Sequence, residues 1–215
     1  MHDLANLWTA LQAGGAAIYP LLGLAVVAAV IIVEKGFVYA TRTHLPPRLI
    51  RTIESSVFKW SELEQQLADV KPKLYATRFL CVLVQNRAQP AWWVESRAGD
   101  EASRIEKALE RWTWALETIV TAAPLLGLLG TITGMIRSFR LFGDQGLVDP
   151  AGVTGGVAEA LIATAVGLFI ALSALFAFNF FSQRRAQLMD ELERLGTRLV
   201  DRIRLDREAM LDEAP

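Results

Sequence analysis

Reactive and metal-binding side chains are scarce in this 215-residue chain. Cys81 is the only cysteine, so no disulfide can close within it. His2 and His44 are the only histidines, too few to build a metal or haem site, and neither a metal nor a cofactor is expected. Lysine and arginine are absent from residues 1–15, where Asp3 is the only charged side chain. That stretch lacks the basic region of a cleaved signal peptide, so the first apolar run is expected to stay as a helix. The net charge of −1 gives no general attraction to nucleic acid. No P-loop, GxSxG or HExxH motif occurs, and no enzyme activity is expected. Internal repeats, low-complexity tracts and Gly/Ser linkers are also missing.

What the chain has in quantity is apolar side chains, 53% of the total, kept apart from the charged 21%. Three runs are almost free of charge: Ala16 to Val33, Ile119 to Ile136 and Ala160 to Phe181. Crossing the hydrocarbon takes roughly 20 helical residues, so the first two runs must borrow a few neighbours. Tyr19, Trp112 and Trp114 sit where interfacial aromatics belong. Of the 22 lysines and arginines, twelve lie in 41–115, seven in 184–215 and only two in 137–157. The excess of positive charge on inner loops then places the amino terminus outside, and the large loop and the tail inside. The resulting plan is an all-α membrane protein. It has an outer amphipathic segment at 1–15, spans at 16–38, 115–138 and 158–182, a cytoplasmic helical loop at 39–114, an outer loop at 139–157 and a cytoplasmic carboxyl-terminal helix at 183–215.

Helical spacing continues outside the spans. Leu49, Ile53, Val57, Trp60, Leu63 and Leu67 repeat at helical intervals, as do Leu188, Leu192, Leu195, Leu199 and Ile203. The second stripe belongs to an amphipathic helix continuing the third span. It packs either on this chain's own loop or on another subunit.

Polar residues within the spans are the candidates for function. Glu159 opens the third span, where a carboxylate costs free energy. It is either a first-turn acid favoured by the helix dipole or a group on an ion path. Thr131 and Thr164 lie symmetrically about position 147.5, so a symmetric hairpin puts both hydroxyls at one depth. A lone membrane threonine bonds to its own helix; two on one level suit a polar ring. Gly127, Gly130 and Gly134 give the second span a small-residue surface. Ala160, Thr164, Gly167 and Ala171 do the same for the third. Such faces serve either packing inside one subunit or a narrow passage for a partner helix.

These same residues carry a resemblance. The stretch from Ala123 to Ile136, APLLGLLGTITGMI, resembles the second-span motif of the MotA/TolQ/ExbB proton-channel family. The stretch from Gly156 to Leu168, GVAEALIATAVGL, resembles its third-span motif, and Asn179 also fits. Three spans and the Glu-Ala-Leu…Thr pattern favour the ExbB and TolQ branch over four-span stators. The resemblance implies a homo-oligomeric ring, usually a pentamer, in the bacterial inner membrane. The ring would surround a dimer of a single-span ExbD-like or TolR-like partner whose membrane aspartate carries protons, and would drive a periplasm-spanning TonB-like protein. Thr131 and Thr164 would face the aspartate, and Glu159 would stand near the outer entrance. A TolQ-like role in the Tol-Pal envelope system, a motility stator and a non-conducting membrane scaffold are the rival readings. Two departures stand out: Ala171-Leu172-Ser173-Ala174 replaces a frequent third-span proline, and Thr133 adds a hydroxyl to which no role is assigned.

Overall fold

The computed structural model describes residues 15–70, 73–140 and 150–212. The expected outer segment at 1–15, but for Gly15, and residues 141–149 of the expected outer loop lie outside the described residues. The described residues form seven helices and no strand: α1 (Ile18–Arg42), α2 (Pro47–Glu54), α3 (Trp60–Asp69), α4 (Tyr75–Gln85), α5 (Ala91–Glu110), α6 (Thr113–Arg140) and α7 (Pro150–Asp212). Three of them, α1, α6 and α7, contain stretches long and apolar enough to cross a membrane. The chain is therefore an all-α membrane protein. It divides into two compact units, 1–33 with 112–180 and 34–111 with 181–215.

In the first unit, α1, α6 and the first half of α7 bury a narrow seam of mostly small side chains. Leu21 and Ala28 come from α1, Ile119 and Ala123 from α6, and Ala160, Ala163, Ala171 and Ala174 from α7. Many of the large apolar residues point the other way: Val30, Leu125, Ile132, Leu161, Phe169 and Phe176 are all exposed. This inside-out arrangement suits hydrocarbon, where helices gain from close packing of small residues rather than from escape from water. Pro124 lies inside α6. It removes one backbone donor there, yet the helix continues on both sides.

The second unit is built like a water-soluble bundle. Leu49 and Ile53 of α2, Leu63 and Leu67 of α3, Phe79, Leu80 and Leu83 of α4, and Val94, Ile105 and Leu109 of α5 meet in one core. The stripe Leu188, Leu192, Leu195, Leu199 and Ile203 of α7 closes that core. The tail therefore packs on its own chain's loop. Each fully buried leucine contributes about 1.5–3 kcal/mol by leaving water. Lys35 is almost fully buried, and its ammonium donates to the carbonyls of Leu109 (2.9 Å) and Ala108 (3.4 Å), satisfying the carboxyl end of α5. Tyr39 stacks on Phe181 and donates its hydroxyl to the Phe181 carbonyl at 3.1 Å.

One detail departs from the sequence pattern. The run from Leu49 to Leu67 is two helices, not one. Ser55 is extended and its hydroxyl accepts the Val57 amide, which stops α2. Val57 is consequently 71% exposed, outside the face it was expected to join. The helix that carries the expected span at 158–182 starts at Pro150; proline suits a first helical turn because its missing donor has no partner there anyway.

Candidate functional site

The second and third spans pack through glycines. At Gly167 an added Cβ would lie 2.6 Å from the Ala123 carbonyl oxygen; at Gly127, 3.0 Å from the Thr164 Cα. At Gly130 it would meet the Ala163 and Ala17 methyls at 2.6 and 2.9 Å, and at Gly134 the Ala160 methyl at 3.0 Å. Gly127, Gly134 and Gly167 face backbone atoms of the opposite span, whereas Gly130 faces the methyls of Ala163 and Ala17. Within this chain, the small-residue faces act as the hairpin's own seam.

That seam sets the level of the two threonines. The Thr164 hydroxyl donates across the hairpin to the Gly127 carbonyl at 2.9 Å. The Thr131 hydroxyl donates to the Leu128 carbonyl of its own helix at 2.6 Å. Gly130 faces Ala163, and Thr131 and Thr164 are the next residues along these antiparallel spans, so the two hydroxyls differ in depth by about 3 Å, less than one turn. Glycine–alanine contacts thus hold the two hydroxyls near a common level. Both threonines remain partly accessible along the hairpin. Each hydroxyl uses its proton on a carbonyl and keeps lone pairs as acceptors. Thr133 also bonds to its own helix, at the Leu129 carbonyl, as does Ser173 at the Phe169 carbonyl.

Glu159 is not a first-turn acid. With α7 starting at Pro150 it lies in the third turn, beyond the reach of the helix end's partial charge. Its carboxylate instead pairs with the Arg137 guanidinium of α6 at 3.0 Å, a bond between the two spans. Glu159 is about one-quarter exposed and Arg137 about half. The carboxylate also lies against Gly15, whose φ of 67° favours glycine and where a Cβ would collide with the Glu159 oxygen. Sequence reasoning missed Arg137, although the assumed hairpin symmetry places it opposite position 158. Nearby, the buried Ser138 hydroxyl donates to the Gly134 carbonyl at 3.0 Å, and Gly156 leaves room for it. Among the described residues, no three histidine, cysteine, aspartate or glutamate side chains gather to hold a metal.

The candidate polar groups, Glu159–Arg137, Thr131 and Thr164, lie on a mostly apolar hairpin. It has hydrogen-bonding capacity but no nucleophile and no base of its own at mid-span. A model of the MotA/TolQ/ExbB proton channel family matches residues 71–194. The chain is 30% identical to the putative biopolymer transport protein ExbB-like 1 of Synechocystis, over 86% of this chain and 74% of that one. It is 34% identical to the ExbB-like 3 protein of the same organism, over 79% and 82%. It is also 44% identical to the Tol-Pal system protein TolQ of Pseudomonas aeruginosa, over 40% of this chain and 38% of that one.

Proposed function

Because this chain belongs to the MotA/TolQ/ExbB proton channel family, we propose that it is an ExbB-like proton-channel subunit of an energy-transducing complex in the bacterial inner membrane. Its amino terminus is periplasmic and its carboxyl tail cytoplasmic. It forms a homo-oligomeric ring, a pentamer, in contact with membrane lipid and around an ExbD-like single-span partner. Through that partner it passes the proton-motive force to a TonB-like protein. One proton crossing 100 mV releases about 2.3 kcal/mol.

The observation that carries this reading is the state of the two threonine hydroxyls. With their protons on the Gly127 and Leu128 carbonyls, Thr164 and Thr131 offer acceptor oxygens in an apolar setting. An acceptor favours the protonated form of a partner's carboxylic acid. To serve the ionised form, a hydroxyl must rotate away from its carbonyl and donate to the carboxylate. Switching between the two keeps a carboxyl group hydrogen-bonded in both protonation states as it passes. Glu159, held by Arg137, supplies charge toward the outer entrance.

Replacing Thr131 or Thr164 with valine keeps the shape and removes the hydroxyl. Energised uptake should be abolished in each variant while the assembly still purifies intact; normal uptake in both would overturn the assigned roles. A TolQ-like role is favoured by one observation, the 44% identity to TolQ over the 87 matched residues. Loss of envelope integrity rather than of TonB-dependent uptake on deletion would select it.

A further inference from the structure

A groove runs along the second unit between α5 and the second half of α7, enclosing a cavity of about 420 Å³. The two helices run antiparallel there. Arg204 pairs with Glu95 at 2.9 Å, and Arg185 with Glu110 at 3.0 Å. The floor is small or apolar: Ala98, Ala102 and Gly196, with Phe79 beneath. Its α5 wall carries Glu95, Gly99 and Glu106 on one helical face, a length of eleven residues or about 16 Å. A Cβ added to Gly99 would meet nothing within 4 Å, so the groove is open at that point.

Charge is distributed unevenly along it. At one end Arg204 neutralises both Glu95 and Asp201. At the other, Glu106 and Glu193 line the groove and form no ion pair among the described residues. A floor of alanine and glycine admits a third helix at close range. Two acids losing water under that helix need cations to replace it. The chain segments outside the described residues offer only Lys71, since 1–14, 141–149 and 213–215 contain no lysine or arginine.

We propose that this groove docks a cationic amphipathic helix of about three turns from another protein. The helix would present lysine or arginine to Glu106 and Glu193 and small apolar residues to the floor. All groove residues belong to the second unit, so failure of the test below leaves the channel reading untouched.

The test uses the full chain in neutral phosphatidylcholine nanodiscs and a fluorescein-labelled 14-residue Leu/Ala/Lys helical peptide, followed by anisotropy. Saturable binding that weakens with salt is expected. It should fall roughly tenfold or more in Glu106→Gln/Glu193→Gln. It should disappear in Gly99→Leu, whose side chain fills the groove while circular dichroism and melting stay unchanged. A matching Leu/Ala/Glu peptide should not bind. No saturable binding, or equal binding by wild type and both variants, overturns the proposal. So does loss of self-association in Gly99→Leu, which would make the groove a contact between copies of this chain.

Discussion

Thr164 donates its hydroxyl across the membrane hairpin to the Gly127 carbonyl at 2.9 Å, and Gly127 has no side chain to keep Thr164 away. Removing the hydroxyl and adding a methyl at Gly127 therefore act on one contact in different ways. Thr164→Val loses one interhelical hydrogen bond, worth about 0.6 and at most about 1.7 kcal/mol in membrane proteins. Its melting midpoint in detergent should drop by a few degrees at most, so any loss of transport in this variant is not a failure to fold.

Glycine substitutions should divide sharply by position. Gly167→Ala drives a methyl to 2.6 Å from the Ala123 carbonyl oxygen and should cost about 1–3 kcal/mol or more. Gly36→Ala, in the same kind of helix but with nothing within 4 Å of the new methyl, should gain about 0.5–1 kcal/mol. Thermal melts of the two purified variants, moving in opposite directions, are the expected result.

The Arg137–Glu159 pair should be weakly stabilising. With the guanidinium half exposed, a coupling energy of about 0.5–1 kcal/mol is expected from a double-mutant cycle of Arg137→Gln and Glu159→Gln. It should shrink as salt is raised. A coupling that is large and indifferent to salt would mean that the pair is shielded from water in the assembled protein.

Leu192 and Val57 test the second unit. Leu192 is fully buried, and Leu192→Ala should cost about 2–5 kcal/mol. Val57 was expected on the same kind of apolar face but is exposed, so Val57→Ser should change stability by less than about 0.5 kcal/mol. Denaturant unfolding followed by tryptophan fluorescence distinguishes them.

Burial raises the Cys81 thiol above its ordinary value. At a given alkaline pH less thiolate is present than on a free peptide, so iodoacetamide should label the folded chain more slowly than the unfolded one at pH 8.5. For an acid raised by folding, the stabilisation is complete below the unfolded thiol's value, about 8.5, and is lost as pH climbs above it. Equal labelling rates would show the thiol open to water.

Much of this protein is determined by the order of its residues alone. Three charge-poor apolar runs have one stable solution in a bilayer, because only helices satisfy every backbone group there. The small-residue faces around Gly127 and Ala160 marked surfaces for close packing, but left open whether the spans of one subunit or a partner helix would use them. Tertiary structure decided what periodicity leaves open. Only the packed core shows that the leucine stripe of α7 closes on its own chain's loop, since a helical repeat specifies a face but not its partner. Ser55 breaks a helix through a local hydrogen bond that apolar spacing does not register. The depths of Thr131 and Thr164 follow from glycine seats that fix the register by steric contact, whereas loop symmetry carries no energy. Glu159 found Arg137, and Lys35 the end of α5, because a charged group leaving water takes the nearest compensating partner, and which partner is near is a property of the fold.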